Sequence, residues 1–232
     1  MVNVFSEAED RFQLPATEII EKDDLPPIQG KGIVEFRLLY QGLLRSNGSV
    51  EDKFAIRRQF HSQLRRLWIE QPLLNEMARK IGFSGEGDSP EKMFGAGLQR
   101  LADNWIRNGF RFVPLSNEHL FLRCSLDVLF LRREKPGRVF MRGDIDNRLK
   151  TLFDALQMPD QGQEIGNEVP GTDEDPFFVL MQNDENIADV SVTTDRLLDF
   201  PASHQYSKDY AVLVLNVKLQ PTKPVGWSWV FS

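Results

Sequence analysis

The sequence predicts an α/β fold of the α+β type, a mixed β-sheet with helices packed on it. First, residues 119–132 alternate: Leu120, Leu122, Cys124, Leu126, Val128 and Phe130 are all apolar with polar residues between most of them, the period-two pattern of a half-buried strand. Second, residues 50–70 carry Phe60, Leu64, Leu67 and Trp68 at helical spacing. Third, strand and helix signals follow one another as strand, helices, strand, helix, strand, strand, which calls for a mixed sheet rather than a sandwich.

The first strand is expected over Ile33–Leu39, ending in a turn at Gln41-Gly42-Leu43-Leu44. Ser49-Val50-Glu51-Asp52 is an acidic variant of the capping box, so a long helix should begin there and run to about Glu70. Pro72 permits a second helical segment from Leu73 to Lys80. Residues 82–90 read as a loop and 91–108 as another helix. The strand at 119–132 leads into a basic turn, Arg132-Arg133-Glu134-Lys135-Pro136-Gly137-Arg138, and then into a helix over 147–156. Residues 157–176, rich in Gly, Pro, Asp and Glu, read as a long surface insertion, and loops of that length are usually functional. Asn186–Thr194 and Tyr210–Leu219 are two more strands, the second apolar on both faces and therefore central.

Composition narrows the function classes. The chain has 232 residues, 41% of them hydrophobic, so it can bury a sizeable core. A single cysteine, Cys124, forbids an internal disulfide and falls on the apolar side of its strand. No run approaches the ~20 apolar residues of a membrane span, and the first residues lack a secretory signal pattern, so a cytoplasmic protein is expected. Net charge is −6 but unevenly spread. Residues 1–30 carry 2 basic and 7 acidic side chains and read as an acidic arm. Residues 31–156 carry 22 basic and 15 acidic, and residues 157–232 carry 4 and 12. The middle of the chain is thus basic, and phosphate binding needs local positive surface rather than a high overall pI.

The most informative run is Gly143-Asp144-Ile145-Asp146-Asn147-Arg148-Leu149-Lys150 through Asp154-Ala155-Leu156. If 144–146 is the end of an extended segment, residues i and i+2 point to one side, and the Asp144 and Asp146 carboxylates converge. Converging carboxylates need a shared proton or a cation, and hard oxygen donors of this kind suit Mg²⁺. Leu149, Leu152, Phe153 and Leu156 give the following helix an apolar face, with Asp146 placed as its N-cap. Lys150, four residues beyond Asp146, can reach back over the helix start, where a phosphate is also favoured. A capped amphipathic helix with a Lys150–Asp154 surface pair is the plainer reading of the same residues.

This run, with Asp144, Asp146, Asn147, Lys150 and Asp154 in register, resembles the core motif of the RusA family of Holliday junction resolvases. In that family a third aspartate follows in a short segment that opens a strand, and Asn183-Asp184-Glu185-Asn186-Ile187 is similar to it, with Asn183 where an aspartate is usual. The resemblance implies a RusA-like fold with insertions at about 73–118 and 157–176, and a single nuclease domain over 31–232. It also implies Mg²⁺ (or Mn²⁺) on Asp144, Asp146 and Asp184, with Lys150 assisting phosphodiester hydrolysis. Asn147 and Asp154 would then support the site from behind, Asp154 by orienting Lys150. The implied partners are a four-way DNA junction and a second copy of the chain in a homodimer.

Basic groups are the candidate DNA contacts: Arg142 and Arg148 flanking the motif, Arg132, Arg133 and Arg138 in the turn before it, and the stripe Arg57, Arg58, His61 and Arg65 on the long helix. For the stripe, a solvated helix face is the competing explanation. Trp227 and Trp229 alternate in strand fashion and suit packing or a dimer contact better than base stacking. A non-catalytic module that binds branched DNA is the alternative to a nuclease, as is a metal-dependent nuclease for another nucleic-acid structure.

Overall fold

The computed structural model describes residues 34–85, 87–133, 144–199 and 207–222, the side chain of Asp144 excepted. The acidic arm at 1–30, Lys135, Arg138, Arg142, Trp227 and Trp229 lie outside the described residues. The fold is α+β, with two sheets that each mix parallel and antiparallel pairs.

Strand β1 (Glu35–Leu43) opens the fold. It runs through the expected turn because Gly42 serves packing instead: a Cβ there would stand 2.8 Å from the Tyr40 hydroxyl, whose ring lies against it. Helix α1 (Val50–Glu70) starts as expected, with Ser49 and Asp52 forming a reciprocal capping box and Phe54, Ile56, Phe60, Leu64 and Trp68 buried. Helices α2 (Pro72–Gly82) and α3 (Pro90–Ala102) follow as a tightly packed pair. The helix expected over 91–108 stops at Ala102, because Asn104-Trp105 turns the chain into strand β2 (Ile106–Arg107) and then β3 (Phe110–Ser116).

Strand β4 (Leu122–Arg132) has the anticipated alternation, and Cys124 is fully buried. Helix α4 (Asp144–Leu156) carries the motif. Strand β5 (Phe177–Met181) is buried at every residue, which removes the alternation that would have announced it. A single 3-10 turn, Asp184–Asn186, leads into β6 (Ile187–Arg196), and β7 (Tyr210–Pro221) closes the described chain.

The larger sheet has the order β1-β7-β4-β6. β7 is central, as its apolar faces imply, and pairs antiparallel with both β1 and β4. β4 and β6 are parallel, so α4 belongs to a β4–α4–β6 crossover. The smaller sheet, β2-β3-β5, carries a second aromatic core of Phe54, Trp105, Phe110, Phe112 and Phe177. The main core joins α1, α2, α3 and α4 to the inner face of the larger sheet.

Candidate active site

Helix α4 includes Asp144, so Asp146 is its third residue rather than its N-cap. This corrects the extended geometry assumed for 144–146. At 3.6 residues per turn, positions i and i+2 of a helix stand roughly 200° apart around the axis, so helical spacing does not supply the convergence that a strand would have given. Asp146 is exposed and Asn147 half-buried. Lys150 is exposed one turn beyond Asp146, on the same side of the helix.

The remaining polar residues of α4 are engaged in holding the helix. Arg148, read as a DNA contact, is 4% exposed. Its guanidinium donates to the Leu44 carbonyl at 2.6 Å and to the Asp209 carboxylate at 2.7 Å, tying α4 to the loop after β1 and the start of β7. Burial removes it from any phosphate. Arg132, at the end of β4, is likewise 5% exposed, whereas Arg133 is exposed. Asp154 does not orient Lys150: its carboxylate pairs with Lys53 of α1 at 2.7 Å. Thr151 donates to the Asn147 carbonyl and accepts from the Gly48 amide.

The stripe on α1 is divided: Arg57 and His61 are buried, Arg58 is held by the acidic insertion, and Arg65 is exposed. Arg57 is 2% exposed and donates to the Asp154 and Gln157 carbonyls, capping the last turn of α4. Burial lowers its pKa to about 10, so it remains a cation at neutral pH. Arg58 is bound by Glu168 and Glu174, and Arg65 lies 3.9 Å from Asp173. His61 accepts the Phe178 amide at Nδ1, which puts its proton on Nε2, where it faces the Asp173 carbonyl at 3.1 Å. Burial pushes its pKa down. The acidic insertion at 157–176 is therefore docked on α1, with Glu168 and Glu174 holding Arg58 and the Asp173 carbonyl facing His61. No property of either segment alone pointed to the other.

The third candidate ligand is placed by topology. Arg148 meets Asp209, which precedes Tyr210, and the next residue, Ala211, pairs with Arg132 at the carboxyl end of β4. The first turn of α4 therefore sits at the carboxyl end of β4. The other end of α4 meets Met181: Gln157 bridges to it, and the Met158 amide donates to its carbonyl at 2.9 Å. Three residues after Met181 comes Asp184, exposed, and Ile187 pairs with Cys124 near the amino end of β4. Eleven helical residues, about 16 Å of rise, separate Asp146 from Gln157. Within one chain the fold leaves Asp184 at the far end of α4 from Asp146, whereas donors to one Mg²⁺ lie about 2 Å from the ion. Among the described residues, no three His, Cys, Asp or Glu side chains gather in a way that could hold a metal. Asp144 and Asp146 are donors of the right chemistry, but Asp184 of the same chain does not complete their set.

Sequence reasoning missed Gln63. Its side-chain amide accepts the Leu39 amide hydrogen at 2.9 Å and donates to the Leu39 carbonyl at 2.7 Å, so it occupies the free edge of β1 as a neighbouring strand would. Among the described residues no helix is long and apolar enough to cross a membrane. No family model, curated protein or solved structure matches the chain.

Proposed function

We propose that the chain is a divalent-metal-dependent endodeoxyribonuclease that cuts branched DNA in the cytoplasm, resolving four-way junctions by paired phosphodiester hydrolysis. The observation that carries the reading is where the motif stands: Asp144 and Asp146 open α4 at the carboxyl end of β4, in a parallel β4–α4–β6 crossover. Open α/β arrangements bind ligands outside the carboxyl ends of their strands, and a helix start favours phosphate through its free amides and dipole. Asp144 and Asp146 are the residues that would hold Mg²⁺ or Mn²⁺, which when bound would polarise a phosphate oxygen and acidify a water. Lys150, exposed one turn on, offsets charge on the scissile phosphate. Among the described residues of the preceding turn, Arg133 is exposed and would contact the DNA backbone.

The test is cleavage of a synthetic four-way junction and of a linear duplex, each with Mg²⁺ or with chelator. Paired nicks in the junction alone, dependent on metal, are expected. Asp146→Asn should abolish them while junction binding persists; cutting retained by that variant overturns the assignment. A second reading, a non-catalytic module binding branched DNA, is favoured by one observation, the distance of Asp184 from Asp146 within a chain. It predicts junction binding with no cleavage by the unaltered protein in Mg²⁺ or Mn²⁺.

A further inference from the structure

Helix α1 closes two sheet edges with its side chains. Gln63 covers the edge of β1, and His61 does the same for β5, the outer strand of the smaller sheet. His61 is 5% exposed, its ring 4.4 Å from that of Phe177 and 5.7 Å from that of Phe178. Both ring nitrogens are engaged. Nδ1 accepts the buried Phe178 amide at 2.9 Å, and Nε2 donates to the Asp173 carbonyl at 3.1 Å. One imidazole thus fastens β5 on one side and the acidic insertion on the other.

The insertion is anchored differently at its ends and in its middle. Ile165 and Phe177 are fully buried, whereas none of residues 166–175 is. That stretch is fastened by polar contacts: Asn108 donates to the Gly166 carbonyl, Arg58 binds Glu168 and Glu174, and Arg111 lies 3.6 Å from Asp175. Partly exposed ion pairs of this kind are screened by salt, while the His61–Phe178 bond is sealed from water.

We propose that His61 is a proton-operated latch: binding a proton at Nδ1 evicts the ring from the Phe178 amide and frees residues 166–175 as a strap hinged at Ile165 and Phe177. Neutral imidazole has one acceptor nitrogen, and the Phe178 amide occupies it; imidazolium donates from both. An N–H would then face an N–H, leaving a buried amide without an acceptor, which protein interiors rarely tolerate. The ring must leave toward water, and the Asp173 carbonyl loses its donor with it. The charged groups around the ring are few. On α1, Arg58 and Arg65 stand about one turn to either side, and Arg57 is turned to the carbonyls of α4. The strap brings Asp173 and Glu174, β5 brings only phenyl rings, and Arg111 of β3 is turned to Asp175. Burial outweighs the help of the Asp173 carbonyl and Glu174 and keeps the His61 pKa below its ordinary value, so the closed strap resists the proton that an open one accepts. Although burial works upward on Glu174, the Arg58 and Gly171 hydrogen bonds hold its pKa below the ordinary value, so it stays an anion where His61 titrates.

Amide exchange of the full-length chain, read by NMR and corrected for intrinsic rates, tests the latch. Each pH unit below the ordinary histidine value of ~6.5 should multiply the opening constant about tenfold. Protection of 166–175 and of the Phe178 amide should fall by up to roughly 30-fold between pH 7.5 and 5.0. Amides of β4 should stay far better protected at both values, because the opening is local. His61→Gln keeps a donor and an acceptor but cannot titrate, so its strap should be equally protected at both pH values. Unchanged protection in the native protein, an equal fall in His61→Gln, or β4 amides exchanging as fast as the strap overturns the latch. Nitrogen-15 shifts of the native imidazole decide independently of that variant. Nδ1 should take up its proton at the midpoint where the Phe178 and 166–175 signals change. Signals that instead change near pH ~4, in the carboxylate range, overturn the assignment to His61.

Discussion

Gly97 offers the sharpest test of the packing. A Cβ added there would lie 1.9 Å from the Ala78 carbonyl oxygen and 2.7 Å from its carbon, and one on Gly82 would lie 1.8 Å from the Met93 carbonyl oxygen. These are backbone atoms that cannot swing aside, so Gly97→Ala must push α3 off α2. Ordinary contact begins near 3.4 Å, which requires a shift of about 1.5 Å. That shift would loosen Leu74, Met77, Leu98 and Leu101, all buried on these two helices. Gaps of 0.5–1 Å already forfeit roughly a quarter to a half of each dispersion contact, and overpacking of this kind costs about 1–3 kcal/mol or more. Alanine recovers about 1 kcal/mol of helix propensity over glycine. The expected net is a loss of up to ~2 kcal/mol, or roughly 4–8 °C in melting temperature at that upper value for a chain of this size. Gly95, exposed on the same helix with nothing within 4 Å of its would-be Cβ, is the control. Gly95→Ala should gain about 1 kcal/mol. Urea denaturation of the two variants measures both, and a Gly97→Ala protein as stable as Gly95→Ala would refute the close crossing of α2 and α3.

Three other outcomes follow from the site region. Burial holds the His61 pKa below its ordinary value, so on acidification through ~6.5 the unfolded chain takes up a proton that the folded chain resists. Stability should therefore fall as pH drops below that value, and His61→Gln should flatten this part of a urea-midpoint titration. Arg58→Ala should cost ~1 kcal/mol or less, because its ion pairs with Glu168 and Glu174 are over a third exposed on the arginine side. It should still raise hydrogen exchange and proteolysis within 166–175, and an unchanged exchange rate there would deny the docking of the insertion. Asp154→Asn loses the Lys53 ion pair and the carboxylate charge near the buried Arg57, so it should lower stability by about 1 kcal/mol and leave junction cleavage intact. Loss of cleavage by that variant would return Asp154 to the catalytic set.

The elements that sequence pattern made legible are those whose faces differ. β4 alternates because one face is buried, and α1 declares itself by a capping box and an apolar stripe. β3 and β5 escaped notice for the opposite reason. Phe177–Met181 is buried on both faces, so it has no period, and Phe110–Ser116 contains Pro114, which weakens a strand reading. The motif was legible as residues and not as geometry. Asp-x-Asp means convergence on a strand and divergence on a helix, and only the start of α4 at Asp144 distinguishes the two. Arg148 and Asp154 carry charges that look available in one dimension, but their partners Asp209 and Lys53 lie 61 and 101 positions away in the chain.

The same pairing changes how the charge of this chain bears on DNA. The basic excess of residues 31–156 suggests a phosphate-binding surface when counted as a block. In the fold much of that excess is already answered. Arg57 caps α4, Arg58 and Arg65 meet the acidic insertion, Lys53 meets Asp154, and Arg148 meets Asp209. The acidic segment is thus not a competitor placed away from a basic face; it is the partner that neutralises one side of α1. Among the described residues, Lys150 is exposed on α4 one turn beyond Asp146, so a phosphate at the start of α4 meets this cation rather than the largely answered stripe on α1. Salt dependence of junction binding should reflect that economy. Lys150→Ala should reduce the slope of log affinity against log salt by about one phosphate contact, ~0.9 for duplex DNA. Arg58→Ala should leave the slope unchanged, and a reduced slope for Arg58→Ala would return the α1 stripe to the DNA surface.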